Sequence, residues 1–369
     1  MKLVYCLVIA LSFCTSARAA DTEMLSHVYQ LVRDEYIEPV GLDILAAPAL
    51  QQLQQLDPDI RIGNDSGYLS VYKKGRLLKS LIKPADPFDV KAWAELSGKV
   101  IDTAASVSPQ LELRDFEIVD TVLSGGIKKF DADSSYYPDL ELSTQKKNDY
   151  KNRRLYFDRM INDFLYVKME TINQYSADNL QKSIDANPGA AALILDLRGN
   201  RGGMFSEAVA IAGLFLDGGI IASTQGRGKD SAEYYQAEDH DILKNKPLIV
   251  LIDADTASSG EVIAAALSEQ GRAVLVGTRS FGKGTVQKLY KLPNHSRLAL
   301  TNAHFYTPSG NKIEKVGIRP DICTAGELES KNPQRLIEAQ AQPLTDCAKE
   351  QRADKQLDID VAVAYLQQQ

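Results

Sequence analysis

Apolar positions recur at helical spacing in the first part of the chain. Leu25, Val28 and Leu31 lie three residues apart, as on one face of a helix. Shorter runs with alternating apolar residues predict strands at 68–72 and 77–82. Helices are predicted at 21–57, where 46–56 forms a second helix, and at 89–105 and 116–130. These patterns predict a mainly helical N-terminal region.

Strands and helices alternate in the rest of the chain. Residues 191–197 form an almost unbroken apolar run, which is typical of a strand buried on both faces. The predicted strands are 164–169, 191–197, 247–252, 273–276, 285–292, 298–303 and 304–307, and the predicted helices are 176–186, 205–216 and 259–270. Such alternation predicts an α/β layered core.

A polar stretch at 131–151, which contains Pro138, marks the best domain boundary. We therefore predict an N-terminal mainly helical domain at 20–153 and a core at 154–325. A Gln-rich helical tail follows at 326–369.

Residues 1–19 have the features of a cleavable secretory signal. Lys2 gives the positive end, and an apolar run of 11 residues follows. Such a run is too short to span a bilayer, which disfavours the alternative of a membrane anchor. Small residues at Ala17 and Ala19 predict cleavage after Ala19, and hence export to the periplasm.

Net charge and cysteine count restrict the partners. The chain carries a formal charge of −7 and has no concentrated basic stripe, which argues against nucleic acid as the main partner. Cys323 and Cys347 remain after removal of the signal. In an oxidising compartment they are expected to form one disulfide, the alternative being two buried thiols.

Ser258 is the candidate nucleophile. It lies in TASSGE (256–261), directly before an apolar helix. The same letters fit a capping box, S-x-x-E, in which a serine only satisfies a backbone N–H. Both roles can hold at once, because a helix N-terminus also favours the negative charge of a tetrahedral oxyanion, with the Ser259 N–H as one donor.

Lys283 is the candidate general base, 25 residues after Ser258. A serine hydroxyl needs a base, and lysine can serve when burial makes it a neutral amine. The segment 277–284 is one residue short of a P-loop, but Gly284 has no hydroxyl for magnesium and the following residues alternate like a strand. A hairpin turn with a solvated lysine is the other alternative.

A third segment, DLRGNRGG (196–203), lies between a buried strand and a helix. Gly202 or Gly203 can present a backbone N–H to an oxyanion, although an ordinary strand-to-helix turn fits equally well. The four histidines show no metal-ligand spacing, so we expect no metal and no cofactor.

These three segments resemble the core motifs of the C-terminal processing, or tail-specific, serine proteases. YTPSG (306–310) and GIRPD (317–321) resemble that family's closing segment. The resemblance covers roughly residues 155–325. The order and spacing of the motifs in this chain also fit that family.

The resemblance implies a crotonase-like (ClpP/crotonase) α/β core. It implies Ser258 as nucleophile, Lys283 as general base and Gln287 as the residue that orients the lysine amine. Peptide bonds in protein tails or unfolded segments would be the substrates. The oxyanion donors would be the N–H groups of Ser259 and of Gly202 or Gly203.

One departure from the family concerns substrate selection. Its members usually carry about a hundred residues of PDZ domain before the core, and we expect none here. An adaptor or self-association through residues 20–150 would then select substrates. The alternative to an active endopeptidase is an inactive peptide-binding scaffold with the same fold.

Overall fold

The computed structural model describes residues 21–138, 156–228, 231–238, 241–326, 332–339, 347–350 and 356–369. The predicted signal at 1–19 and the boundary at 153 lie outside these residues. The chain divides into two compact units. One comprises Met1–Asn148 and Gln287–Ala303, and the other comprises Asp149–Val286 and His304–Gln369.

Labels below run in chain order over the described residues. The α-helices are α1 (21–35), α2 (Asp43–Leu50), α3 (Val90–Ala105), α4 (Pro109–Leu113), α5 (Ile118–Phe130), α6 (Ser176–Ala186), α7 (Phe205–Gly213), α8 (Ser259–Glu269), α9 (Pro333–Ala339) and α10 (Gln356–Leu366). The strands are β1 (Ile60–Asp65), β2 (Tyr68–Lys73), β3 (Arg76–Ile82), β4 (Ser135–Tyr137), β5 (Tyr156–Ile161), β6 (Phe164–Met169), β7 (Ala192–Asp196), β8 (Ile220–Gly226), β9 (Glu233–Gln236), β10 (Leu248–Ile252), β11 (Val274–Gly277), β12 (Thr285–Lys291), β13 (Arg297–Tyr306) and β14 (Ile322–Cys323).

The first unit is helical with a small antiparallel sheet, in the order β1-β2-β3. Helices α3 and α5 each bury one apolar face, as the spacing predicts. Helix α3 begins at Asp89, whose side chain accepts from the Ala92 N–H. The helical N-terminal region is therefore confirmed.

Residues 287–303, which lie within the predicted core at 154–325, group with the first unit. The reason is hydrophobic: Leu292, Leu298 and Leu300 are buried in the core of that unit. The structure also joins the two predicted strands 298–303 and 304–307 into the single strand β13, which runs into the second unit. Strand β13 belongs to a sheet with the strand order β12-β13-β8-β9.

The second unit is built on a mixed sheet in the order β14-β11-β10-β7-β6-β5. Strands β6, β7, β10, β11 and β14 are parallel, and β5 pairs antiparallel with β6. The α/β prediction is confirmed in this form. Parallel strands end at one edge of the sheet, so the segments after β7, β10 and β11 are brought together there.

Side chains of this sheet alternate between two apolar layers. In β10, Leu248, Val250 and Ile252 face one layer, while Ile249 and Leu251 face the other. Helices α6, α7 and α8 contribute to the first layer, and α9 and α10 contribute to the second. The described residues of the predicted tail, 332–339, 347–350 and 356–369, group with the second unit, and the apolar residues of α9 and α10 cover one face of the sheet.

Helix α10 is also attached through buried charge. Arg198 lies directly after β7 and donates to Asp196 Oδ2 at 2.6 Å and to Asp358 Oδ2 at 2.9 Å. All three side chains are almost fully buried. Thr324 Oγ1 donates to the other oxygen of Asp358 at 2.6 Å. Asp358 therefore fixes α10 to residues that follow two different strands.

We expect Asp358→Ala to lower the free energy of unfolding by about 3 kcal/mol, because the buried Arg198 charge would lose one of its two carboxylates. Urea unfolding of the oxidised protein measures the change. Asp360→Ala is the matched control on the same helix: Asp360 is exposed and accepts from Gln356. The control should change stability by less than about 0.5 kcal/mol. Equal losses in the two variants would contradict the buried-charge account.

Candidate active site

Three segments meet at the carboxyl edge of the sheet, after β7, β10 and β11. They are residues 197–204, 253–258 and 278–284. Main-chain hydrogen bonds join them: the Ala257 N–H donates to Asn200 O at 2.9 Å, and the Phe281 N–H donates to Thr256 O at 2.9 Å. The three sequence motifs singled out above therefore form one cluster.

Ser258 has an unusual backbone. Its φ is 55° and its ψ is −123°, a conformation that residues with a side chain rarely adopt. Such strain costs about 1–3 kcal/mol and is found preferentially at active sites, where surrounding contacts enforce it. Ser258 lies on the sharp turn between β10 and α8, and it is partly exposed. The turn thus holds the serine at the start of a buried helix while keeping it accessible.

Glu261 is the residue that the sequence interpretation undervalued. It lies one turn into α8 and is fully buried. Its Oε2 accepts from the Ser258 N–H at 2.9 Å and from the Lys283 N–H at 2.8 Å. Its Oε1 accepts from the Gly282 N–H at 2.7 Å and from the Ser280 hydroxyl. One carboxylate thus holds the backbone of both candidate catalytic residues.

Burial raises the pKa of Glu261 above its usual range, while the hydrogen bonds from Ser280, Gly282, Lys283 and Ser258 act in the opposite direction. A carboxylate buried this deeply is stable only if its oxygens are satisfied. The sequence assigned Glu261 to a capping box, and the Ser258 N–H does form the expected bond. The three bonds from residues 19, 21 and 22 positions away could not be deduced from that pattern.

Gly202 brings the segment after β7 against the serine. A Cβ placed on Gly202 would lie 3.0 Å from Ser258 Cβ and 3.1 Å from Ser259 N, and φ is 88°. Only glycine permits this approach without strain. The Ser259 hydroxyl donates to Gly203 O at 3.1 Å and so fixes the same segment from the other side.

The two glycines differ as oxyanion donors. The Gly202 N–H donates to Asn200 Oδ1 at 2.8 Å, so it is already engaged. This bond favours Gly203 of the two glycines named from the sequence.

The Asp196–Arg198 pair supports the segment after β7. Burial alone would raise the pKa of Asp196, but hydrogen bonds and charge from Arg198 hold it below its usual range. Tyr166 donates to Asp196 at 2.6 Å, and burial together with that carboxylate raises the pKa of Tyr166. This paired charge fixes the residues that precede Gly202.

Lys283 lies between two close-packed glycines and is partly buried. A Cβ on Gly284 would lie 2.3 Å from Glu314 N. The Lys315 N–H donates to Gly282 O at 2.8 Å. The strand β12 begins at Thr285, whereas a P-loop continues into a helix, so the structure excludes the P-loop alternative.

Comparison with known proteins finds relatives of one part of the chain. Residues 163–324 match peptidase family S41. A carboxy-terminal-processing protease of Bartonella bacilliformis is 36% identical over 179 residues, which are 47% of this chain and 41% of that protein. A carboxyl-terminal-processing protease of Picosynechococcus is 41% identical over 155 residues, which are 41% of this chain and 37% of that protein.

The similarity to peptidase family S41 covers residues 163–324, which is less than half of the chain. A solved structure of a photosystem II D1 C-terminal processing protease aligns with a TM-score of 0.41 at 31% identity, covering 48% of this chain and 47% of that chain. The chain spans less than half the length of the curated relatives named here. Those relatives are proteases by name. The resemblance to the C-terminal processing proteases is therefore confirmed.

The region that matches family S41 includes β6 to β14 and therefore all three segments of the cluster. Gln287 lies on β12, in the unit that contains the N-terminal helices, where its Nε2 donates to Thr301 Oγ1 at 3.4 Å. Cys323, at the end of that region, forms a disulfide with Cys347, with Cα atoms 5.9 Å apart. Among the described residues, no helix is long and apolar enough to cross a membrane.

We expect Glu261→Gln to lower kcat by about a hundredfold with little change in KM. A glutamine amide would place an N–H₂ group against two backbone donors of the cluster, so at least one bond to Ser258, Gly282 or Lys283 would be lost. Steady-state peptidase assays measure the split. Glu269→Gln, at the exposed end of α8, is the matched control and should behave as the parent. A Glu261→Gln enzyme with parental kcat would show that the carboxylate does not position the site.

Proposed function

We propose that this protein is an exported serine endopeptidase that uses Ser258 and Lys283 as a catalytic dyad. It would cleave peptide bonds in protein tails or unfolded segments. The observation that carries the proposal is the single Glu261 oxygen that accepts from the N–H groups of both residues. One buried carboxylate therefore holds the backbone of the candidate nucleophile and of the candidate base in fixed positions.

The first chemical step is acylation. Lys283 Nζ, as a neutral amine, removes the proton of the Ser258 hydroxyl while Oγ attacks the peptide carbonyl carbon. The carbonyl oxygen becomes an oxyanion, which the N–H groups of Ser259 and Gly203 stabilise at the start of α8. The C–N bond then breaks, the leaving amine takes the proton from Lys283, and an ester to Ser258 remains.

Deacylation repeats these steps with water. Lys283 removes a proton from the water molecule that attacks the ester, and the acid product leaves as Ser258 regains its proton. The resemblance implies that Gln287 orients the lysine amine, and this role remains a prediction. The crotonase-like character of the core is likewise part of the proposal.

An inactive peptide-binding scaffold is the second candidate. The intact Ser258 and Lys283, and the strained backbone at Ser258, favour the enzyme, because strain of this kind is retained where catalysis needs it. A fluorophosphonate probe, which labels only an activated serine, distinguishes the two. Residues 20–150 would provide an adaptor or self-association surface in either case.

We expect Ser258→Ala and Lys283→Arg each to reduce kcat by about a millionfold while the protein stays folded. Alanine removes the nucleophile, and a guanidinium cannot release its proton to act as a base. Ser259→Ala is the matched control and should keep most activity, since the mechanism uses its backbone N–H. Peptide hydrolysis and fluorophosphonate labelling measure all three variants. Activity that survives in Ser258→Ala but not in Ser259→Ala would identify the other serine.

We expect the exported protein to begin at residue 20 and to contain the Cys323–Cys347 disulfide. Intact-mass analysis of protein taken from the periplasm tests both points. The mass should correspond to cleavage after Ala19, and reduction should add two hydrogens. A full-length mass in a cytoplasmic fraction would contradict the assigned compartment.

A further inference from the structure

Residues 347–350 lie along the segment that leads to Lys283. The Arg279 N–H donates to Ala348 O at 3.2 Å, and Arg279 Nε donates to Cys347 O at 3.1 Å. Thr278 Oγ1 donates to Glu350 O at 3.0 Å. These three bonds fix residues 278 and 279, which are five and four positions before the candidate base.

The disulfide anchors this short segment to the sheet. Cys323 ends β14, where it pairs with Gly277 at the end of β11. Cys347 is fully buried and its sulfur lies 3.9 Å from Gly277 O. The cross-link therefore joins residues 347–350 to β14, the strand that pairs with β11, from which the Lys283 segment departs.

Lys349 extends the contact to both sides of the base. Its Nζ donates to Phe281 O at 2.9 Å and lies 3.4 Å from Lys315 O. Lys315 in turn donates its N–H to Gly282 O at 2.8 Å. One ammonium group thus bridges two segments that enclose Gly282, Lys283 and Gly284.

We propose that residues 347–350 position the general base, with the Cys323–Cys347 disulfide as their anchor and Lys349 as their main side-chain contact. The inference rests on the proposed function, in which Lys283 takes the serine proton. Residues 347–350 lie outside the region that matches peptidase family S41, so this support comes from a part of the chain beyond that region.

The physical reason is the glycine content of the segment. Gly282 has a φ of 85°, and glycines on both sides of Lys283 give the unrestrained chain many conformations. A base must lie within hydrogen-bond reach of the proton it removes. A displacement of about 1 Å can cost about a hundredfold in rate. Contacts that order residues 278–282 therefore act on kcat rather than on substrate affinity.

The first test uses Lys349, because it is on the surface and its loss should not unfold the protein. Lys349→Gln should lower kcat about three- to tenfold with KM unchanged, and Lys349→Arg, which can still donate to both carbonyls, should restore the parental value. Lys246→Gln is the matched control: Lys246 also bridges two carbonyls, those of Pro188 and Ala190. It should leave kcat as in the parent.

The second test removes the anchor. The double variant Cys323→Ser with Cys347→Ser should lose about a hundredfold in kcat. Its fluorophosphonate labelling of Ser258 should slow to match. Amide hydrogen exchange should accelerate at residues 278–284 more than in α6, which distinguishes a positioning role from a general loss of stability.

The outcomes separate the two proposals. A parent protein with neither peptidase activity nor Ser258 labelling would refute the proposed function. An active parent whose Lys349→Gln and double-cysteine variants keep parental kcat and parental exchange at 278–284 would overturn the positioning role alone. Equal loss in Lys246→Gln and Lys349→Gln would also overturn it, because the effect would then not be local.

Discussion

The buried carboxylate of Glu261 is the constraint on which the candidate site depends. It accepts hydrogen bonds from Ser258, Ser280, Gly282 and Lys283, which come from two segments that follow different strands. Leaving a buried acceptor unsatisfied costs more than forming the bond gains. The start of α8 and the segment with Lys283 are therefore stable together or not at all, and the nucleophile and the base are assembled by the same interaction.

The parallel sheet makes that assembly possible. Strands β7, β10 and β11 are neighbours, and each ends at the same edge. The strands are buried on both faces, which leaves little freedom to shift their register by one residue, since a shift would exchange the two apolar layers. The positions of Gly202, Ser258 and Lys283 are thus fixed by hydrophobic packing below them, and the polar contacts act on segments that already lie close together.

The sequence predicted what is local. The apolar run of β10, the spacing within α8 and the order of the three motifs led to Ser258, Lys283 and the glycines as candidates without any knowledge of contacts. It could not predict the partners of Glu261, because bonds over 19 to 22 residues depend on the tertiary fold. For the same reason it missed the contacts of residues 347–350. It also assigned 287–303 to the core, since the burial of Leu298 in the other unit leaves no trace in local periodicity.

The choice between two adjacent serines shows how the two levels combine. The pattern S-x-x-E names Ser258 as the cap of α8, and Ser259 would begin the helix in any case. Only the structure adds that Ser258 has a strained backbone, whereas the Ser259 hydroxyl donates to Gly203 O. A serine that is a simple cap has no reason to keep a φ of 55°. The strain is consistent with a second demand on the turn, an accessible hydroxyl beside N–H groups at the start of a buried helix.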